Sequence, residues 1–364
     1  MSEPNQPQGP DFLTICLYGL LAFLPIAVAA EYLHWGPGVV FITSMLAIVP
    51  LAKAMGNATE EIALRVGPGL GGLLNATFGN ATELIIALFA LNAGLYEVVQ
   101  ASITGSIIGN ILFVLGAAML LGGMKYPHQY FNRTIAGLNT SLLVLAVVGL
   151  LVPAGFAATI TTMPPGLMQR FSVFVAVILI AVYVCNLVFA LKTHTDLYAG
   201  GESQHEDEEE PTMSMGKAVG LLVGTTLLVA WMSELLVGSI EHVTHDFGLS
   251  KSFIGVILVP IVGNAAEHLT AVTVALKNKM DLSLGIAIGS ATQIALLVAP
   301  SLVLAGAVMG RPLTLAFSPF EVLSVVMAVV IANFITLDGE SNWLEGTMLL
   351  ATYGILAVAF FLHP

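Results

Sequence analysis

Apolar stretches of about 20 residues, each long enough to cross a ~30 Å hydrocarbon core as a helix, follow one another along nearly the whole chain. A chain so built has few surfaces on which to meet water. Only 9% of its 364 residues are charged and its mean hydropathy is +0.92, where a soluble domain carries roughly a quarter charged residues. In lipid each backbone N–H and C=O must be satisfied within the chain, which selects helices. The expectation is an all-α integral membrane protein with the lipid bilayer as its partner. A formal charge of -12 argues against nucleic acid. The opening MSEPNQPQGP lacks the basic segment of a cleavable signal, so the first apolar stretch is expected to stay as a transmembrane helix. Cys16 and Cys185 lie in apolar stretches without metal-ligand spacing and read as packing residues.

Breaks at Gly, Pro and charge clusters predict about eleven helices, at 12–33, 38–65, 69–94, 97–123, 132–153, 167–192, 214–245, 250–276, 282–309, 317–336 and 342–362. The one long polar stretch, Thr193 to Pro211, holds seven acids and no Lys or Arg. The expected organisation is a polar N-terminus (1–11), an extra transmembrane helix (12–33), a first five-helix repeat (38–192), an acidic linker (193–213) and a second five-helix repeat (214–364). Cytoplasmic loops are enriched in Lys and Arg. With a cytoplasmic N-terminus, Arg65, Lys125, Arg133, Lys192, Lys217, Lys277 and Lys279 fall inside, against Arg170, Lys251 and Arg311 outside. That orientation puts the acidic linker in the cytoplasm, and in a prokaryote the membrane would be the inner (plasma) membrane.

The chain also resembles itself. GNATELIIALFAL begins at Gly79 and GNAAEHLTAVTVAL at Gly263, 184 residues later. The same offset pairs Gly71 with Gly255 and Gly105–Ser106 with Gly289–Ser290. Repeats of five helices, an odd number, enter the membrane from opposite sides. They are expected to be inverted, with the substrate site at the midplane between them.

Glu83 and Glu267 occupy matching places in these motifs. A carboxylate in hydrocarbon costs a few kcal/mol even on lenient scales and so faces a protein interior with work to do. Asn80 and Glu83 are three residues apart, as are Asn264 and Glu267, which puts each pair on one helical face. Ser106 and Asn110 lie a turn apart on the next helix, and Ser290 and Gln293 nearly so on its counterpart. Such a set of carboxylate, amide and hydroxyl oxygens suits Ca2+, which takes 6–8 hard oxygen donors. With no thiolates and few histidines it does not suit Zn2+ or Cu+. For the amides and hydroxyls the plain alternative is helix–helix hydrogen bonding. The motif glycines, with Pro260, either loosen the helix so that carbonyls turn toward an ion or let helices pack closely.

VGPGLGGLLNATFGN (66–80), GNATE (79–83) and FIGVILVPIVGNAAEH (253–268) resemble the Ca2+/H+ antiporters of the cation/Ca2+ exchanger superfamily, over nearly the whole chain. The resemblance implies a secondary transporter rather than an enzyme, with no cofactor and with Ca2+ and H+ as substrates. It implies that Glu83 and Glu267 carry Ca2+ and protons in turn. Asn80, Asn264, Ser106, Ser290 and Gln293 would line the pathway with His268 beside it, and the second and seventh helices would be mobile gates. Gln293 aligns with Gly109 rather than Asn110, which makes Asn110 the weaker member. Association into a homo-oligomer is left open.

Other signals are weaker. Met55-Gly56-Asn57-Ala58-Thr59-Glu60 imitates the first motif at a helix end and reads as an entrance or gate feature. Glu241-His242-Val243-Thr244-His245 has its glutamate misplaced for a zinc protease. The Asn-Ala-Thr sequons at 57, 75 and 80 are membrane-buried. Glu234 and Glu241 are either cation-entry residues or interfacial ones. Two carboxylates in one small dry site cannot both stay charged cheaply, so they bind protons when the cation leaves. Exchange then follows, because each loaded form is near neutral. The alternative within the superfamily is a Na+/Ca2+-type exchanger, whose members place Ser or Thr and Pro around the glutamate. Here Asn80-Ala81-Thr82 and Asn264-Ala265-Ala266 stand there. An intramembrane hydrolase would need a catalytic dyad that the sequence does not offer, and a passive channel has no need of paired buried carboxylates in repeats.

Overall fold

The computed structural model describes residues 12–160, 162, 164–195, 197 and 211–363. The polar N-terminus and most of the acidic linker lie outside the described residues. The first half runs α1 (Phe12–Leu20), α2 (Phe23–Tyr32), α3 (Pro37–Val66), α4 (Pro68–Phe78), α5 (Ala81–Asn92), α6 (Tyr96–Ile108), α7 (Leu115–Lys125), β1 (Gln129–Tyr130), α8 (Arg133–Thr159) and α9 (Leu167–Val188). The second half runs α10 (Met215–Phe247), α11 (Lys251–Phe253), α12 (Val259–Gly263), α13 (Ala265–Ala275), α14 (Met280–Gln293), α15 (Ala299–Val308), α16 (Pro319–Ile335), β2 (Glu340–Ser341) and α17 (Trp343–Leu362). Turns of π-helix at Gly109–Val114, Ile254–Leu258 and Ile294–Val298 join α6 to α7, α11 to α12 and α14 to α15.

Among the described residues, seven continuous helical runs are long and apolar enough to cross a membrane, and α11 to α13 form a further span bent by 61°. The helices stop where local chemistry stops them. Pro37, Pro68 and Pro319 stand in the first turn of α3, α4 and α16, where a missing N–H costs nothing. Ser318 with Glu321, and Asn342 with Glu345, form capping boxes that satisfy the first amides of α16 and α17. Gly248 ends α10 in the left-handed conformation that glycine tolerates best.

Two spans form the centre. In the apolar windows of Tyr96–Lys125 and Met280–Val308, 72% and 61% of residues are buried, against 17% for Leu167–Thr193. The central pair carries Ile107, Ile108, Ile111 and Leu112 from one half and Ile288, Ala291, Ile294 and Leu296 from the other, all sealed. The peripheral helices turn apolar side chains outward to lipid, as Phe174 and Ile178 of α9 do. Cys16 and Cys185, expected as packing residues, are exposed on that periphery. Their apolar neighbours reflect lipid rather than a core, a distinction that hydropathy does not draw.

At one face the loops are tied together. β1 pairs antiparallel with β2, Gln129 opposite Ser341. Gln129 Nε2 donates to the Ala275 carbonyl at 2.8 Å and Lys125 Nζ to the Leu276 carbonyl at 2.9 Å. His128 Nδ1 and Glu340 Oε1 are in hydrogen-bond contact across the small sheet. These contacts tie the ends of α7 and α13 to the start of α17.

Candidate cation site

Each motif breaks its helix at the asparagine. Asn80 (φ -104, ψ 22) separates α4 from α5, and Asn264 (φ -92, ψ 6) separates α12 from α13. Asparagine is a favoured helix cap, yet neither side chain makes a capping bond. Both reach across to other helices. Glu83 and Glu267 follow in the first turns of α5 and α13, where the unpaired amides and the helix dipole favour a carboxylate.

The amides and hydroxyls form one network joining the two halves. Asn80 Nδ2 donates to Gln293 Oε1 at 2.6 Å, and Ser290 Oγ donates to Asn80 Oδ1 at 3.0 Å. Asn110 Nδ2 donates to Ser290 Oγ at 3.0 Å and to Asn264 Oδ1 at 3.4 Å. Asn264 Nδ2 donates to Ser106 Oγ at 3.2 Å and to the Pro260 carbonyl at 3.0 Å. Most helix hydroxyls instead bond their own backbone, as Thr43, Thr59, Thr140, Ser233 and Thr292 do, the inexpensive solution in an apolar bundle. Ser106 and Ser290 stand apart from that pattern.

Within this cluster Asn110 Oδ1 and three carboxylate oxygens are left without partners. Both carboxylate oxygens of Glu83, and Oε2 of Glu267, are buried with no hydrogen bond. A buried carboxylate oxygen with no donor is costly, and a proton or a cation relieves that cost. Each glutamate also packs on the other motif's glycine. A methyl group built on Gly263 would stand 3.2 Å from Glu83 Oε1, and one on Gly79 3.6 Å from Glu267 Oε1. These glycines let the two breaks approach and bring both carboxylates to one place.

Two cavities of very different size border the cluster. A cavity of about 720 Å3 runs from Leu64 and Gly67, at the α3–α4 turn, to Glu267, Ser290 and Gln293. On the other side Glu83, Ser102, Ser106 and Val259 border a void of about 10 Å3, hardly room for one water. Along the wide cavity Lys53, Asn57 and Glu60 line the wall, while Met55, Ala58 and Thr59 of the same sequence are buried. The imitation motif therefore stands at the entrance. Glu61, next in sequence, faces elsewhere: its carboxylate binds Arg65 at 3.0 Å and accepts the Thr212 and Met213 amides at 3.0 and 3.1 Å, tying α3 to the chain just before α10.

All seven principal candidates thus meet in one cluster. Asn110, the weaker member by alignment, is at its middle. Its amide reaches Ser290 and Asn264 from the π turn at Gly109–Val114. His268 turns away from the cavity; its ring meets Phe113 edge-on at 5.7 Å. Glu234 is exposed, and exposed Glu241 lies 3.9 Å from Lys251. Sequence reasoning missed Thr82 on the cavity wall and the exchange of glycines between motifs, whose one signal was the glycine before each asparagine. Ser106→Ala and Gln293→Ala, each removing one neutral oxygen, are expected to weaken apparent Ca2+ affinity by about three- to tenfold without abolishing transport, the scale of one hydrogen-bonding group. Titration of purified protein with 45Ca2+ measures this, and loss of all binding would contradict it.

Helices long and apolar enough to span a membrane, with two half-helices whose first turns carry carboxylates beside a buried cluster of amides and hydroxyls, define a multi-pass membrane protein with a polar centre. The chain belongs to the sodium/calcium exchanger protein family, whose model matches residues 37–192 and again residues 217–362. Its sequence is 52% identical to the Ca2+/H+ antiporter of Aphanothece halophytica, over 95% of this chain and 96% of that protein. It is 44% identical to the Ca2+/H+ antiporter ChaA of Bacillus subtilis, over 94% and 97%. The solved structure of native YfkE superposes with a TM-score of 0.82 at 40% identity, covering 95% of this chain and 99% of that one.

Proposed function

We propose that this chain is a secondary active antiporter that exports cytoplasmic Ca2+ in exchange for protons, with both ions competing for Glu83 and Glu267. The observation that carries the reading is the meeting of two carboxylates among neutral oxygens, with both oxygens of Glu83 and Oε2 of Glu267 buried and without hydrogen-bond partners. Two carboxylates balance one Ca2+ or two protons, so either load brings the site near neutrality. The empty, doubly charged site is the costly form to move through the membrane. The antiporter names of close relatives support Ca2+ and H+ as the ions.

The halves are taken as inverted repeats related by a two-fold axis in the membrane plane. Support comes from the double match of one family model. The π turns support it too: those following α6 and α14 end at Val114 and Val298, and 298 − 114 gives the motif offset of 184. The N-terminus and acidic linker are taken as cytoplasmic on the count of basic loop residues. A cysteine at His128, in a background free of Cys16 and Cys185, is then expected to react with an impermeant maleimide from the cytoplasmic side. One at Met309 should react from outside. The reverse pattern would overturn the orientation and the export direction with it.

Competition is tested by binding alone. Ca2+ needs both carboxylates deprotonated, so apparent Ca2+ affinity of purified protein should fall as pH falls. The expected slope is roughly tenfold per pH unit for each proton displaced. A pH-independent affinity would contradict the proposal.

A further inference from the structure

One basic side chain stands in the wide cavity. Lys53 lies near the middle of α3, roughly 20 Å of helix from its end at Val66, too deep for a four-carbon stem to carry its ammonium to the membrane surface. It lines the cavity with Asn57 and Glu60, which follow at helical spacing on the same face. Among the described residues it makes no hydrogen bond and no ion pair. An ammonium at such depth is costly unless water or a partner charge reaches it, and the cavity is the space on which this wall opens.

The cavity holds few other charges. Glu60 stands on α3 itself and Glu267 on α13, while Asn75, Thr82, Ser290 and Gln293 are neutral. The helices packed on α3 carry, among others, Glu31 on α2 and Lys217 and Glu234 on α10, none of which lines the cavity, and α4 and α12 carry no charge. Glu61 and Arg65 pair with each other. No basic side chain borders the small void beside Glu83. A wall that gathered Ca2+ would carry acids alone. Here a single ammonium shares the cavity with a carboxylate of the site.

We propose that Lys53 is a specificity-determining residue of the exchange: its charge opposes every cation at Glu83 and Glu267 in proportion to that cation's own charge, which loosens the hold on Ca2+ without tilting the exchange of one Ca2+ for two protons. A divalent ion feels twice the repulsion of a proton, so its binding weakens by the square of the proton's factor. When two protons leave as one Ca2+ arrives, the charge of the site does not change and the field of Lys53 drops out. The effect is therefore confined to conditions in which Ca2+ enters an unprotonated site. This inference rests on the exchanger reading and on the two glutamates as its site.

Equilibrium binding of 45Ca2+ to the purified protein, over a range of pH at low ionic strength, tests this pattern. At alkaline pH, where proton competition has ended, Lys53→Gln should bind Ca2+ about three- to tenfold more tightly than wild type. That is the scale for a unit charge roughly 10–15 Å from a divalent ion in a partly aqueous space. The gap should close to within about twofold at acid pH, and it should shrink at alkaline pH in about 1 M choline chloride, which screens the charge. Insertion should not suffer, because the substitution removes a charge from an apolar span. Lys53→Arg, which keeps the charge in a side chain that stays protonated, should give the wild-type curve. A side chain that merely shaped the wall would not make binding follow charge, nor make the gap depend on pH.

Binding by Lys53→Gln that is unchanged or weaker at alkaline pH would overturn the proposal. So would a gap of equal size at both ends of a pH-dependent curve, or Lys53→Arg behaving as Lys53→Gln does. If wild-type affinity proves independent of pH, the proton reading fails. A tighter Lys53→Gln at every pH, with Lys53→Arg like wild type, would then still uphold the charge of Lys53 as acting on the ion.

Discussion

Glu83→Gln and Glu267→Gln are each expected to abolish Ca2+ uptake into inverted vesicles, by roughly a hundredfold or more, while the protein inserts at normal levels. The amide keeps the shape of the side chain and loses both the negative charge and the exchangeable proton. Removing one charge from a buried set costs about 3 kcal/mol or more, which corresponds to that factor. Insertion should not suffer, because a neutral amide is easier to bury than a carboxylate. The two variants should also fail alike. Each glutamate sits in the first turn of its half-helix and packs on the other motif's glycine, so neither is a spectator to the other. Near-wild-type uptake by either variant would remove the paired-carboxylate mechanism. A double variant no worse than the single ones is the non-additivity expected of groups that bind one ion together.

Much of this site was legible in the sequence because membranes are strict. A charged residue inside an apolar run needs a reason, and two such residues at one offset need a common one. That argument found Glu83 and Glu267, and helical spacing then brought in Asn80, Asn264, Ser106, Ser290 and Gln293. Asn110 was underrated because its counterpart at the repeat offset is the apolar Ile294, so the repeat gives it no matching polar partner. The lipid-facing placement of Cys16 and Cys185 was misread for a related reason. In a bilayer the outside of the protein is as apolar as its inside, so hydropathy alone cannot tell the two apart. Nor does the motif repeat reveal which side is open. Gly71 and Gly255 read alike in sequence, yet one rests on Ala63 and the other on Ala101. Symmetric sequences in two different positions are what an alternating carrier requires, and only coordinates separate them.

The driving ion separates this account from its nearest rival most sharply. Inverted vesicles made acid inside should accumulate 45Ca2+ with no Na+ on either side. A protonophore should collapse that uptake to background, because the only stored energy is then gone. An outward Na+ gradient imposed at uniform pH should drive nothing. Glu83 and Glu267 hand over protons in this account, and no sodium enters the exchange. Uptake that needs a pH gradient and ignores Na+ is the predicted result. Uptake that survives the protonophore and tracks the Na+ gradient would contradict it.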